Sequence, residues 1–243
     1  MKTTKTAKAT KTAAITNATG DGTQKNLRTE IVFILDRSGS MGGRQQDVIG
    51  GFNRMLADQR RNPGECHVST VLFDDVSEVL HNRVPIGRMA PLTEEQYSVR
   101  GCTAYYDALG RAIRHHVLVQ RHLPADRRAD KVVFVVMTDG YENASQEFDA
   151  RKLRDIVQTE QDKWGWEFVF LGAGIDAIQA AADIGIAADR AVNFVADSTG
   201  IAASFDGVSR AVGNLRARRR LEENEDGTSW RERMDRDFNG RAR

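Results

Sequence analysis

Asp36, Ser38 and Ser40 stand at alternate positions after the apolar run Ile31-Val32-Phe33-Ile34-Leu35. A carboxylate and two hydroxyls at one strand end, with Gly39 letting the turn close tightly, gather hard oxygen donors in one place. Such donors suit Mg²⁺, whereas zinc would call for His and Cys. Asp and Ser are also strong turn formers, so this segment alone reads equally well as a capped strand-to-helix turn. Two further segments carry similar donors. Thr103 lies just before a helical pattern starting near Ala104, and Asp139 closes the run Val132-Val133-Phe134-Val135-Val136-Met137-Thr138, with Gly140 permitting the next turn.

The elements that must position these residues follow from hydrophobic periodicity. Continuous apolar runs predict strands buried on both faces at Glu30 to Asp36 and at Lys131 to Thr138. A helix is predicted from Arg44 to Gln59, with Val48, Phe52, Met55 and Leu56 on one stripe. His67 to Phe73 and Ser77 to Val84, separated by Asp74-Asp75, read as an antiparallel hairpin. Helix is predicted from Ala104 to Val119 and from Glu147 to Lys163, strand from Glu167 to Leu171, helix from Ile175 to Ile184 and strand from Ala191 to Val195. A last helix starts after Ser198-Thr199-Gly200, with Ile201, Phe205, Val208, Val212 and Leu215 on one face.

This alternation predicts an α/β fold, a three-layer Rossmann-like doubly wound sheet, mostly parallel with one antiparallel edge strand. Ligands of such sheets bind at the carboxyl ends of the strands where strand order reverses. The strands ending at Asp36 and Asp139 are expected to be the central pair, presenting both carboxylates to one crevice.

The chain has 243 residues, 40% hydrophobic and 28% charged, with formal net charge +1. That size fits one α/β domain with tails, and the charge balance gives no overall preference for nucleic acid or membrane. Cys66 and Cys102, the two cysteines, are too few for a disulfide framework and agree with reduced thiols in the cytoplasm. Residues 1–26 read as a disordered basic Thr/Lys/Ala tail, 27–220 as the domain, and 221–243 as a charged C-terminal tail. No stretch approaches the roughly 20 apolar residues of a membrane span.

Taken together, the three segments resemble the metal-ion-dependent adhesion site of von Willebrand factor type A domains. That family's pattern is Asp-x-Ser-x-Ser, a distant loop Thr, and a distant Asp often within Thr-Asp-Gly. Asp36, Ser38, Ser40, Thr103 and Asp139 match it in order and context, and the resemblance covers roughly Arg28 to Leu215. It implies a bacterial or phage intracellular type of domain that binds Mg²⁺, with Mn²⁺ or Ca²⁺ as substitutes. The metal would grip an Asp or Glu of a partner protein. Some intracellular relatives work with an AAA+ ATPase or a larger assembly, which implies that class of partner as an alternative. By sequence position, Arg37, Met41, Arg44, Tyr105, Tyr141, Glu142 and Asn143 form the expected partner-binding rim. Free N–H groups at the start of the second helix are expected to favour the incoming anion. Asp107, one turn past Thr103, fits either a supporting acceptor or a helix-start acid.

Other chemistries are weaker. Gly172-Ala173-Gly174-Ile175-Asp176-Ala177 fits a dinucleotide-binding pattern, but it lies late in the sheet, so close packing of a strand-helix turn is the expected use. A Mg²⁺-dependent phosphoryl hydrolase would want a second acid at position 38 and a Lys, and neither a Gly-rich Lys-Ser/Thr loop nor that acid is present. Arg210, Arg216, Arg218, Arg219 and Arg220 could touch nucleic acid. Glu222, Glu223, Glu225 and Asp226 follow at once, so self-neutralisation is expected.

Overall fold

The computed structural model describes residues 27–217, 221 and 229–241. The basic segment 1–26, Arg218 to Arg220 and the acids from Glu222 to Asp226 lie outside them. Six strands form one sheet: β1 (Arg28–Asp36), β2 (Glu65–Phe73), β3 (Ser77–Pro85), β4 (Lys131–Thr138), β5 (Glu167–Ala173) and β6 (Ala191–Phe194). Their order is β3-β2-β1-β4-β5-β6, and β1 and β4 are neighbours at the centre as expected. All pairs are parallel except β2 with β3, the antiparallel edge.

Alternation along β1 and β4 explains the three layers. Ile31, Phe33, Leu35, Val133, Val135 and Met137 face one side, and Val32, Ile34, Val132, Phe134 and Val136 face the other. The first side packs against α1 (Gln45–Arg61), α5 (Ser198–Arg216) and α6 (Glu232–Arg241); the second against α2 (Tyr105–His122), α3 (Ala150–Trp164) and α4 (Ala177–Asp183). Both faces are dry, which is why these strands read as unbroken apolar runs.

The C-terminal region differs from its sequence reading. Leu221, Trp230 and Met234 are buried in the α1–α5 layer, and α6 packs on α5 and β6. Gly207 of α5 makes the room: a Cβ there would sit 2.4 Å from Met234 Cε. Trp230, Met234 and Phe238 stand four residues apart, a short helical stripe diluted by the surrounding charges.

The Gly-x-Gly turn after β5 serves packing, as expected. A Cβ at Gly172 would lie 2.8 Å from the Ala177 methyl, and Gly174 adopts φ +65°. Arg216, read as part of a basic cluster, is buried. Its guanidinium donates to the carbonyls of Asn62, Pro63 and Gly64 at 3.0, 3.3 and 3.2 Å, closing the turn after α1.

Candidate metal centre

The five residues come from three loops at the carboxyl ends of the central strands. Asp36 ends β1, and Ser38 and Ser40 follow in a short 3₁₀ turn. Ser38 Oγ lies 3.0 Å from Ser40 Oγ, and Ser40 Oγ donates to Asp139 Oδ1 at 2.5 Å. Thr103, just before α2, reaches the same point. A Cβ placed on Gly140 would be 3.0 Å from Thr103 Oγ1 and 3.7 Å from Ser40 Oγ. The three hydroxyls and Asp139 therefore converge beside Gly140, where a methyl would crowd Thr103, and Asp36 lies close enough to feel the Asp139 charge.

Cross-bonds hold the loops in register. Gly39 N donates to Gly101 O at 3.0 Å, Arg100 N to Arg37 O at 2.8 Å and Ala104 N to Asp74 O at 3.0 Å. Thr103 and Asn143 bond in both directions: Thr103 N to Asn143 Oδ1 at 2.9 Å, and Asn143 N to Thr103 O at 3.0 Å. Gly101 sits at φ +67°, a region that favours glycine, and a side chain there would meet the Asp75 carboxylate.

Asp36 is buried. Burial raises its carboxyl above the ordinary range, bonds from Thr138 and Ser38 oppose this, and the nearby charge of Asp139 adds to it. A cation held near Asp36 and Asp139 would offset both penalties. The donor set is all oxygen, with hydroxyls that add no charge, and so it fits a hard divalent ion. Among the described residues no group of three or more His, Cys, Asp and Glu side chains comes together, so the three hydroxyls are needed to complete a donor set here.

The expected rim divides. Tyr141 is 63% exposed, Asn143 is exposed and Arg44 is partly exposed at the mouth. Glu142 is turned to its own loop, accepting from Tyr106 N, Ala144 N and Ser145 N. Arg37, Met41 and Tyr105 are corrections: all three are buried. Arg37 points inward to Asp74 at 2.8 Å and Glu78 at 2.7 Å. Met41 joins the α1–α5 core, and Tyr105 packs edge-on against Phe170, with ring centroids 5.6 Å apart. Successive side chains in a tight turn point different ways, so sequence proximity to a ligand does not place a side chain at the mouth.

Two of the expected free N–H groups of α2 are also spoken for. Tyr106 N donates to Glu142 and Asp107 N to Ser145 Oγ, each at 3.0 Å. Asp107 is a supporting acceptor: it takes Gln146 N, Glu147 N and Phe148 N at 3.1, 3.0 and 2.9 Å, pinning the loop after Asp139 to α2. Burial raises its pKa, and these bonds together with Arg111 more than offset that, leaving it below the ordinary value.

Sequence reasoning missed Thr138, Tyr97 and Asp74. Thr138 Oγ1 bonds Asp36 Oδ2, and the buried Tyr97 donates its hydroxyl to the Asp36 carbonyl. Asp74 ties together Arg37 and Arg100, both at 2.8 Å. Thr138 carried a signal, a hydroxyl ending an otherwise apolar run; Tyr97 in its loop carried none.

The family model described as von Willebrand factor type A domain matches residues 30–206. The chain belongs to that family. Von Willebrand factor type A domains are often metal-dependent protein-interaction modules and are typically non-enzymatic. Among solved structures, the fold is shared with a variant of the PilB minor pilin from Streptococcus sanguinis, at TM-score 0.56 and 13% identity over 81% of this chain. It is shared with a von Willebrand factor type A protein from Catenulispora acidiphila, at 0.50 and 16% over 75%. Proximal thread matrix protein 1 from the mussel byssus, solved with a zinc-occupied MIDAS motif, matches at 0.53 and 16% over 77%. This chain spans 64%, 42% and 46% of those three chains respectively. No curated protein has a matching sequence. Among the described residues, no helix is long and apolar enough to cross a membrane.

Proposed function

We propose that this von Willebrand factor type A domain is a metal-dependent protein-binding module. Asp36, Ser38, Ser40, Thr103 and Asp139 hold a divalent cation, Mg²⁺ by the hardness of the donors, with Mn²⁺ or Ca²⁺ as substitutes. When bound, the cation supplies a positive centre for the carboxylate of an Asp or Glu on a partner protein.

One observation carries the reading: three loops bring two carboxylates and three hydroxyls to one point, with Ser40 Oγ 3.0 Å from Ser38 Oγ and 2.5 Å from Asp139. The protein's own groups orient these donors. Ser38 N donates to Asp36 Oδ1 at 2.6 Å and Thr138 to Oδ2 at 2.6 Å, so the Asp36 carboxylate has a fixed plane. Asn143 fixes the backbone of Thr103, and Asp107 anchors the loop that carries Asp139. The mussel protein's zinc-occupied motif supports a cation at this position of the fold. Ser38 and Ser40 act as neutral ligands in this reading and not as nucleophiles. His67, His81, His115, His116 and His122 lie along β2, β3 and α2 rather than in the site loops, which supports a non-catalytic role. The free thiols Cys66 and Cys102 support a cytoplasmic setting.

The test combines calorimetry and capture. Wild-type protein is expected to bind one Mg²⁺, and Asp36→Ala to lose it while keeping its circular dichroism spectrum. Affinity purification from the native cell should recover partners in Mg²⁺ that disappear both in EDTA and with Asp36→Ala. Absence of Mg²⁺ binding by the folded wild type, or partners indifferent to both changes, would overturn the proposal.

A further inference from the structure

Resting on the metal-site reading above, we propose that Arg44 is a second anchor for the incoming acid. A carboxylate held at the metal site by one oxygen would offer its other oxygen to the Arg44 guanidinium, so the site would select a ligand that reaches both.

Arg44 immediately precedes α1 and is held by three segments. Its Nε donates to the Ala196 carbonyl, between β6 and α5, at 2.6 Å. Its Nη1 donates to Asp139 Oδ2 at 3.2 Å and to the Ser40 carbonyl. These contacts fix the plane of the guanidinium beside two of the metal-site residues. Its other terminal nitrogen, Nη2, has no hydrogen-bond partner among the described residues, and the side chain is 30% exposed. A planar fork with an uncommitted edge matches a carboxylate better than a point charge does.

The surroundings leave that edge accessible. Gly39, Gly42 and Gly43 in the loop after β1 and Gly101 in the loop before α2 are exposed, and a Cβ at Gly43 would meet nothing within 4 Å. The other arginines near the mouth are placed differently. Arg37 is buried on Asp74 and Glu78, and Arg100, 57% exposed, bonds Asp74 in the β2–β3 turn. Arg44 alone of the three touches a residue of the metal site.

The arrangement makes two opposite demands. A cation beside Asp139 competes with the metal for that carboxylate when no ligand is present, and it helps hold a ligand once one arrives. Neutralising Arg44 therefore strengthens metal binding and weakens carboxylate binding, whereas a merely structural role would weaken both.

The experiment uses the full chain with N-acetyl-aspartate methylamide as probe and its asparagine counterpart as control, read by NMR shifts. Mg²⁺ affinity without the probe is read by calorimetry. Wild type is expected to bind the aspartate probe in Mg²⁺ and neither probe in EDTA. Arg44→Gln should bind the aspartate probe about tenfold more weakly, the scale of one charged hydrogen bond, yet bind Mg²⁺ more tightly. Arg44→Lys keeps the charge without the fork, so its Mg²⁺ affinity should hold while probe affinity falls about threefold. Probe affinity in Arg44→Gln within twofold of wild type, or a joint loss of Mg²⁺ and probe, would overturn the role of Arg44. Should Arg44→Gln fail to fold, wild-type probe affinity in Arg44→Lys overturns it instead. Failure of the wild type to bind Mg²⁺, or probe binding unaffected by EDTA, strikes the underlying metal reading and not Arg44 alone.

Discussion

Thr138 Oγ1 donates to Asp36 Oδ2 at 2.6 Å, joining the last residues of the two central strands. Parallel register makes this contact: Leu35 pairs with Met137, which brings Thr138 beside Asp36. The bond orients a carboxylate that burial would otherwise leave poorly solvated. Thr138→Val keeps the shape and removes the donor. It should cost about 1–2 kcal/mol in urea unfolding and weaken Mg²⁺ binding roughly tenfold by calorimetry. Unchanged Mg²⁺ affinity would show that Asp36 is oriented without Thr138.

Gly140→Ala tests the space at the site. Gly140 does not have a positive φ, so the backbone tolerates alanine. The added methyl would stand 3.0 Å from Thr103 Oγ1 and push that hydroxyl away from Ser40 and Asp139. Mg²⁺ affinity is expected to fall about tenfold while stability changes by less than about 1 kcal/mol. A variant that binds Mg²⁺ like the wild type would remove Thr103 from the ligand set.

His116 makes stability pH-dependent. Burial pushes its pKa down to about 4; the Ala112 carbonyl and Glu30 oppose this, and His115 and Arg83 reinforce it. The ring is held neutral, with Nδ1 2.9 Å from Ala112 O and Nε2 3.3 Å from Ser69 Oγ. Because the folded pKa lies below the unfolded value near 6.5, the unfolded chain takes the proton first. This contribution is fully present above about pH 6.5 and is lost as pH falls toward 4, by about 3 kcal/mol at most. Urea unfolding at pH 7.5 and 5 should show the loss, and His116→Gln should flatten it. An equal slope in the variant would assign it to His67 and His81, whose pKa values are also lowered, chiefly by burial.

Trp230 tests where the folded unit ends. It is fully buried, and the neighbouring Met234 fills the notch at Gly207. Trp230→Ala should destabilise the protein by about 3–5 kcal/mol, as a large core truncation does. A change within about 0.5 kcal/mol would restore residues 221–243 to the status of a tail.

Much of the fold was legible because burial on both faces leaves a plain mark. Val132 to Val136 and Ile31 to Leu35 could only be interior strands, and the helical stripe Val48, Phe52, Met55 and Leu56 could only face a core. The docking of the C-terminal helix was not legible: Phe238 continues a four-residue spacing, but so short a stripe among charges does not reveal the burial of Trp230 and Met234. Their burial depends on a notch in α5 made by Gly207.

The sequence by itself determined the ligand chemistry. Asp36, Ser38, Ser40, Thr103 and Asp139 are hard oxygen donors whatever their surroundings, and their motif spacing put each at a strand end or loop. Only the tertiary structure decided which neighbours face the site. Arg37 and Arg44 are both arginines within a few residues of Asp36, yet Arg37 is sealed between Asp74 and Glu78 while Arg44 lies on Asp139. Side-chain direction in a tight turn depends on backbone torsions and on acceptors supplied by distant strands. Apart from the Ser40 carbonyl, those acceptors lie in the β2–β3 turn, on β3, just after β4 and before α5, beyond any local window of sequence.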